Sequence, residues 1–182
     1  RDNIINILCE FATDDDIIIV SDVDEIPNKK QIMSYKDKLG NFPYYFEMDW
    51  RIFYSNFKCD EKWYGSYITN LQVIKKYSVD LLRVGSSVFP FREELKISDG
   101  GMHLSYLGGI PAIRKKLKSL PYQGLRAELT KHLIQFFPII LKVMMNQGKD
   151  ILFQGRHFEL LSHKNNSNKY VTDDFMLKYS KV

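Results

Sequence analysis

The feature that most constrains the fold is a run of β-branched residues that ends directly in an acidic turn. Residues 17–20 read IIIV, and Ser21 separates them from the hexad DVDEIP at residues 22–27. A continuous run of this kind is typical of a strand buried on both faces, as in a parallel sheet. Ligands of open α/β sheets bind beyond the carboxyl ends of the strands. The sequence therefore predicts an α/β fold in which Asp22 and Asp24 lie just past a central strand.

Asp22 and Asp24 form a D-x-D pair, a pattern that can hold a hard divalent cation. Mg²⁺ and Mn²⁺ prefer oxygen ligands and commonly keep substrate phosphate in their coordination shell. Such a cation neutralises charge that develops on a diphosphate leaving group. Asp14 and Asp16 spell the same pattern, but they precede the apolar run and are interpreted as a solvated turn. A role as capping and turn acids is the alternative for Asp22 and Asp24.

Apolar periodicity predicts helices and strands in mixed order. Residues 44–53 alternate, which predicts a half-buried strand whose polar face carries Glu47 and Asp49. The other predicted elements are a helix over residues 2–12, a helix capped by Asn28 that ends near Gly40, a helix from Asn70 to Tyr77, a strand over residues 102–107, a helix with Pro111 in its first turn, and a long helix over residues 129–144 that is kinked near Pro138.

Composition indicates a globular chain and gives limited information on its surroundings. The length of 182 residues suits one domain over residues 1–182, with a polar tail from residue 162. The net charge of +4 is mild and spread out, so no nucleic-acid partner is expected. The densest basic stretch, residues 114–118, is either a solvated helix face or a surface for anionic lipid or a phosphorylated donor. Two cysteines without a C-x-x-C pair favour free thiols in a reducing compartment and predict a cytoplasmic protein. Peripheral contact with the inner face of a bacterial membrane is left open by the basic stretch.

Four segments together resemble glycosyltransferase family 17, which includes the enzyme that adds the bisecting N-acetylglucosamine of N-glycans. Residues 17–27, IIIVSDVDEIP, are similar to the family's signature, and residues 100–109, GGMHLSYLGG, are similar to its histidine segment. Both segments are specific. Residues 62–66, KWYGS, and residues 148–153, GKDILF, give supporting matches, and the resemblance covers about residues 1–155.

The resemblance implies a GT-A-like mixed sheet flanked by helices, and the transfer of N-acetylglucosamine from a UDP-sugar donor to a glycan acceptor with inversion. It implies that Asp22 and Asp24 bind Mn²⁺ or Mg²⁺ together with the donor diphosphate. Glu25 would orient the hexad or contact the sugar. His103 is either a further metal or phosphate ligand or a hydrogen-bonded core histidine, and the flanking glycines would allow close approach of a ligand or of the backbone.

Inversion requires a general base that takes the proton of the acceptor hydroxyl. Asp99, directly before the glycine pair, is the first candidate, and Glu47 and Asp49 are the next; each is also readily explained as a structural or surface acid. Trp63 and Tyr64 are candidates for stacking on the acceptor sugar, with core packing as the alternative for Trp63.

The sequence departs from the family pattern in three places. Met102 stands where tryptophan is usual, and Tyr122 and Gly124 stand where an S-x-A-H-x-E-like segment carries histidine and glutamate. Only about sixteen residues precede the D-x-D strand, so part of the N-terminal nucleotide-binding half is expected to be missing. These departures put the choice of acceptor, or activity itself, in doubt.

Two competing functions remain open. A haloacid-dehalogenase-type phosphatase also places D-x-D after an apolar strand, and residues 22–26 nearly fit its motif. It requires a later acidic pair at a strand end, whereas Asp173 and Asp174 follow no apolar strand in the sequence. A catalytically degenerate module that only binds glycan or a partner is the second alternative, and the departures above favour it.

Overall fold

The structure is a computed structural model that describes residues 3–83, 93–119, 132, 138–149, 155–161, 170–171 and 173–179. Strands and helices alternate along these residues, so the fold is mixed α/β, as predicted. The described strands are β1 (Ile17–Val20), β2 (Glu25–Pro27), β3 (Tyr44–Ile52), β4 (Phe57–Trp63), β5 (Tyr67–Asn70), β6 (Lys96–Ser105) and β7 (Phe158–Leu160). The described helices are α1 (Ile4–Phe11), α2 (Lys29–Tyr35), α3 (Leu71–Tyr77), α4 (Val79–Arg83), α5 (Gly109–Ser119), α6 (Pro138–Asn146) and α7 (Asp173–Lys178), with 3₁₀ turns at Lys36–Lys38 and Glu93–Leu95.

The chain divides into two compact units. The first comprises residues 1–49 and 63–103, and the second comprises residues 50–62 and 104–182. Every residue that the sequence predicts for catalysis or binding falls in the first unit. The single domain over residues 1–182 stays a prediction.

Strand pairing in the first unit brings the hexad beside the histidine segment. β1 pairs antiparallel with β5, and β5 pairs antiparallel with the start of β3. β6 pairs with β3 and also with β2. The β2–β6 pairing is antiparallel and places Glu25 opposite His103. Two segments that are distant in sequence are therefore neighbours in the sheet.

Helices cover both faces of this sheet because its strands present apolar side chains to each side in turn. Tyr45 and Tyr67 face one side, where they pack with α3, α4 and the inner residues of α1 and β1. Phe46, Met48 and Ile68 face the other side, where they pack with α2. The predicted alternation is confirmed for residues 44–49, and so is a sheet flanked by helices. The prediction of a half-buried strand is wrong for the rest of the segment, because Arg51 and Phe53 of the predicted polar face are buried, as is Tyr45.

The prediction that residues 17–20 form a central strand buried on both faces is wrong. β1 lies at the end of the strand order, and among the described residues it pairs with β5 alone, in antiparallel orientation. Ile18 and Val20 pack on the core, whereas Ile17 and Ile19 are 44% and 39% exposed. β-branched residues suit an edge strand as well as a central one, because their preference is for extended backbone rather than for burial on both sides.

Local signals near the chain's helix starts are confirmed. The Asn28 side chain caps α2 by accepting from the backbone N–H of Lys30 at 3.0 Å. The Asn70 side chain caps α3 by accepting from the backbone N–H of Val73 at 3.0 Å. These bonds satisfy donors that the first turn of a helix leaves unpaired. Asn28 also fixes the direction of the chain as it leaves the hexad.

The second unit pairs β4 with β7 in antiparallel orientation. The rings of Trp50 and Phe158 meet edge to face, with centroids 6.1 Å apart. α5 carries Pro111 in its first turn, as predicted. Arg114 and Lys115 of its basic run are exposed, which agrees with a solvated helix face. Within the described residues, no helix has both the length and the apolar character that crossing a bilayer requires.

Some sequence predictions cannot be compared with the structure. Residues 138–146 are helical, but residues 129–131 and 133–137 of the predicted long helix lie outside the described residues. The same holds for residues 120–124, where the family pattern is altered, for residues 150–153 of the GKDILF segment, and for residues 162–169 at the start of the polar tail.

Candidate functional site

Glu25 lies at the centre of a polar cluster in the first unit. Its side chain is 0% exposed, although an ionised carboxylate is costly to bury unless it is paired and hydrogen-bonded. Trp63 Nε1 donates to its Oε1 at 2.6 Å, and Ser66 Oγ donates to its Oε2 at 2.5 Å. The backbone N–H of Asp22 donates to Oε2 at 3.2 Å. Glu25 thereby joins the hexad to the KWYGS segment.

Arg83, the last residue of α4, supplies the positive charge that balances Glu25. Its Nη1 donates to Oε2 at 3.0 Å and its Nη2 to Oε1 at 2.7 Å, which is a bidentate pair. Nη2 also donates to Oδ2 of Asp22. The Arg83 side chain is 9% exposed, whereas that of Asp22 is 45% exposed. Arg83 therefore belongs to the buried part of the cluster and Asp22 to its surface.

The charges of this pair are fixed at neutral pH. Burial acts to raise the pKa of Glu25, but the hydrogen bonds from Arg83, Ser66 and Trp63 and the charge of Arg83 hold that pKa below its usual value. Burial acts to lower the pKa of Arg83, but its contacts with Glu25 and Asp22 hold that pKa above its usual value. Glu25 and Arg83 are consequently a permanent ion pair, and neither is suited to exchange protons with a substrate.

Two glycines are required by the close packing around the cluster. A Cβ atom at Gly65 would stand 2.1 Å from Glu25 Oε1 and 2.3 Å from Trp63 Nε1. A Cβ atom at Gly101 would stand 2.1 Å from the carbonyl oxygen of Ile26, and the φ of +137° there is rarely adopted by other residues. The glycines of the two segments therefore have a physical reason, which is to let Glu25 and the β2 backbone approach.

Asp24 reaches His103 on the surface side of the cluster. The Oδ2 of Asp24 is 3.5 Å from Nε2 of His103, and the side chains are 22% and 6% exposed respectively. The ring of Trp63 lies against the histidine, with centroids 4.2 Å apart. Trp63 uses its N–H on Glu25 and its ring on His103, so packing within the cluster accounts for the burial of this side chain.

Asp24 and His103 are the acid and the imidazole that would have to hold a divalent cation together with substrate. Their Oδ2 and Nε2 atoms are 3.5 Å apart, which is longer than the separation of about 3 Å between adjacent ligands in an octahedral Mg²⁺ shell, and oxygen suits Mg²⁺ and Mn²⁺ better than an imidazole nitrogen does. Mg²⁺ is usually bound by one or two protein carboxylates together with substrate phosphates. Within the described part of the chain, no group of three or more His, Cys, Asp or Glu side chains is arranged as a complete metal site. The metal role of Asp22, Asp24 and His103 stays a prediction.

The structure separates the three candidate bases. Glu47 is half-buried and accepts a hydrogen bond from the Tyr64 hydroxyl at 2.9 Å, which links it to the KWYGS segment. Asp49 is half-buried on the same side of β3. Asp99 is exposed, and its Oδ2 and carbonyl oxygen accept from Asn28 Nδ2 at 3.3 and 2.9 Å.

Asp99 lies four residues before His103 on β6. Its φ of +56° is an uncommon conformation for a residue other than glycine. Asn28 therefore holds an exposed, conformationally restricted acid at the far end of the β2–β6 pair. None of the three base assignments is decided by this placement, and all remain predictions.

Arg83 is the residue that sequence reasoning missed. It ends a short helix whose other residues include the buried Val79 and Leu82, and it belongs to none of the four segments. The only available signal was indirect, because a carboxylate that is buried in a strand requires a cation nearby. The sequence does not indicate which of 26 Lys and Arg residues supplies it.

Comparison of the chain with protein-family models, with curated proteins and with solved structures finds no match. A functional assignment therefore depends on the cluster itself and on the four segments quoted above.

Proposed function

We propose that this chain is a glycosyltransferase related to family 17, with a GT-A-like fold, that moves N-acetylglucosamine from a UDP-sugar donor to a glycan acceptor with inversion. The observation that carries the proposal is the meeting of the hexad, the KWYGS segment and the histidine segment around Glu25. Each segment was matched to the family by its own sequence, and those matches carried no information on whether the segments are close in space. Their convergence is thus an independent support.

The exposed acids of the cluster are suited to the donor end of the reaction. A divalent cation bound here would neutralise charge on the diphosphate leaving group. Asp24 and His103 offer ligand atoms to such a cation, and Asp22 offers a second carboxylate. Of the two roles expected for Glu25, its burial favours orientation of the hexad over contact with the sugar, because its side chain is fully buried and accepts hydrogen bonds from Asp22, Trp63 and Arg83.

Glu47 is the best-placed base within this proposal. Its hydrogen bond with Tyr64 connects it to the segment that also supplies Trp63 to the cluster. A half-buried carboxylate can accept the proton of an acceptor hydroxyl if that hydroxyl comes within hydrogen-bond distance. Asp99 is ranked below it because its partner, Asn28, lies at the other end of β2.

The proposal is tested by sugar transfer from UDP-N-acetylglucosamine, assayed with Mn²⁺ and with excess chelator. Asp24→Asn keeps the shape of the side chain but removes its charge, and should lower kcat at least about 100-fold if the cation is essential. Asp37→Asn makes the same change at an exposed acid of the 3₁₀ turn and serves as the matched control. Full transfer in excess chelator, or equal rates for the two variants, would contradict a metal mechanism.

Donor titration separates the base from the donor site. Glu47→Gln should lower the rate while leaving the Kd for UDP nearly unchanged, because the base touches the acceptor and not the diphosphate. If Glu47→Gln retains full transfer and Asp99→Asn does not, Asp99 is the base after all.

The competing functions give different outcomes in the same assays. A degenerate module would bind the donor without turnover. A phosphatase would release phosphate from substrates that contain no sugar nucleotide, but Asp173 begins helix α7, and the two residues described before it, 170–171, form a turn and a bend rather than a strand. No observation favours the phosphatase over the transferase.

A further inference from the structure

Arg83 contacts two acidic partners that differ in burial. It forms two hydrogen bonds with Glu25, whose side chain is 0% exposed, and separation of this buried pair would leave an uncompensated charge. Its contact with Asp22 is half-exposed, because the Asp22 side chain is 45% exposed whereas that of Arg83 is 9% exposed. Water can solvate Asp22 when it leaves Arg83, so another anion can replace Asp22 at a lower cost than it can replace Glu25. The guanidinium is thus anchored on one side and exchangeable on the other.

From this asymmetry we propose that Arg83 is a diphosphate-binding residue of the donor site, and that Asp22 occupies its anion position when no ligand is bound. The inference rests on the proposed function, which supplies the diphosphate. Nη2 is shared between Oε1 of Glu25 and Oδ2 of Asp22. A phosphate oxygen that replaces Oδ2 would keep a charge-assisted hydrogen bond to Nη2, and guanidinium groups are well matched to phosphate oxygens.

In this proposal, binding of a cation and release of Arg83 from Asp22 are coupled, because both involve the Asp22 carboxylate. Asp22, Asp24 and Glu25 carry three negative charges and Arg83 carries one positive charge, so the four side chains have a net charge of −2. A divalent cation bound at the Asp22 carboxylate would weaken the attraction of Asp22 for Arg83. The guanidinium, which Glu25 holds in place, would then be available to the donor diphosphate. The cation and Arg83 would act on the same diphosphate from positions set by one carboxylate.

The test uses inorganic pyrophosphate, titrated calorimetrically in excess chelator. Asp22→Asn removes the negative charge that competes for Arg83, so it should bind pyrophosphate about three- to fivefold tighter than the wild type. Asp24→Asn is the matched control, because it removes the same charge from an acid whose ion-pair contact is with His103. Its gain in affinity should be less than half that of Asp22→Asn. With Mn²⁺ present the order reverses, and Asp22→Asn should bind UDP more weakly than the wild type because a cation ligand is lost.

A second measurement identifies Arg83 as the responsible group. Arg83→Lys introduced into Asp22→Asn should abolish the gain, since lysine keeps the charge but cannot hold Glu25 and phosphate with one planar fork. If Arg83→Lys does not fold, the comparison of Asp22→Asn with Asp24→Asn still tests the proposal. Equal gains for Asp22→Asn and Asp24→Asn, or no gain for Asp22→Asn, would overturn the role of Arg83. That result would not contradict sugar transfer by the wild type, whereas absence of transfer by the wild type with retained pyrophosphate binding would overturn the proposed function alone.

Discussion

Neutralisation of Glu25 should destabilise the protein far more than neutralisation of a surface acid. In Glu25→Gln the side chain keeps its size, but Arg83 loses its buried counter-ion and an amide N–H₂ group faces the donors of Trp63, Ser66 and Arg83. Removal of one partner from a buried ion pair costs about 3–5 kcal/mol. Since Arg83 keeps its contact with Asp22, we expect the lower end, about 3 kcal/mol.

This loss is measurable by urea unfolding followed by circular dichroism, and by thermal unfolding. For a chain of 182 residues, about 3 kcal/mol corresponds to a decrease in Tm of about 6–12 °C. Glu61→Gln is the matched control, because Glu61 is 57% exposed and its 3.1 Å contact with Arg156 is a surface pair. That pair contributes about 0–1 kcal/mol. Equal losses for the two variants would refute the view that Glu25 organises the cluster.

The same substitution carries a pH signature. The unfolded chain binds a proton at Glu25 near pH 4.3, the usual value for glutamate, whereas the pKa of Glu25 is lowered in the folded protein. The ionised carboxylate therefore contributes its full stability above about pH 5, and this is lost as the pH falls through the lowered folded pKa. The stability difference between the wild type and Glu25→Gln should shrink below about pH 4. A constant difference between pH 7 and pH 3 would mean that the charge of Glu25 is not the source of the loss.

Two further predictions concern packing and reactivity. Gly65→Ala should lower the free energy of unfolding by about 1–3 kcal/mol, because its added Cβ would overlap Glu25 and Trp63. Gly40→Ala is the control: its added Cβ meets nothing within 4 Å, so the free energy of unfolding should change by less than about 0.5 kcal/mol. Urea unfolding measures both changes. Burial raises the pKa of the Cys59 thiol to about 11, whereas Cys9 is exposed. Dithionitrobenzoate at pH 8 should therefore titrate one thiol in the native protein and two in denaturant. Rapid reaction of two thiols in the native protein would contradict the burial of Cys59.

Local structure was predictable from the sequence because it depends on local chemistry. Asn28 caps a helix as predicted, and Asn70 caps the helix that was predicted to begin there, since an amide oxygen placed before an apolar period satisfies the first N–H groups of a helix. The position of β1 was not predictable, because IIIV at residues 17–20 has the same preference for extended backbone at the edge of a sheet as at its centre. Strand order is decided by long-range pairing, which leaves no periodic signal in a four-residue strand.

The sequence indicated several residues of the cluster around Glu25, but it indicated neither Arg83 nor which of the acids are buried. The hexad and the histidine segment were selected correctly as neighbours, and β2–β6 pairing places them together. Sequence alone could not distinguish the buried Glu25 from the exposed Asp22, because the three acids lie within four positions and no sequence pattern indicates which of them is buried. Burial, which separates them, depends on where Arg83 and Trp63 arrive from other parts of the chain.

That separation bears directly on what the acidic turn is for. Glu25 is fully buried and has Arg83, Ser66 and Trp63 as partners, so its charge is accounted for by folding. Asp22 and Asp24, at 45% and 22% exposure, add negative charge beside a carboxylate that is already balanced. Like charges held close together oppose folding unless a cation offsets them. Asp22 contacts Arg83 and Asp24 contacts His103, so folding accounts for part of their charge. The proposed uptake of a divalent cation with its phosphate ligand would account for the negative charge that stays at the surface.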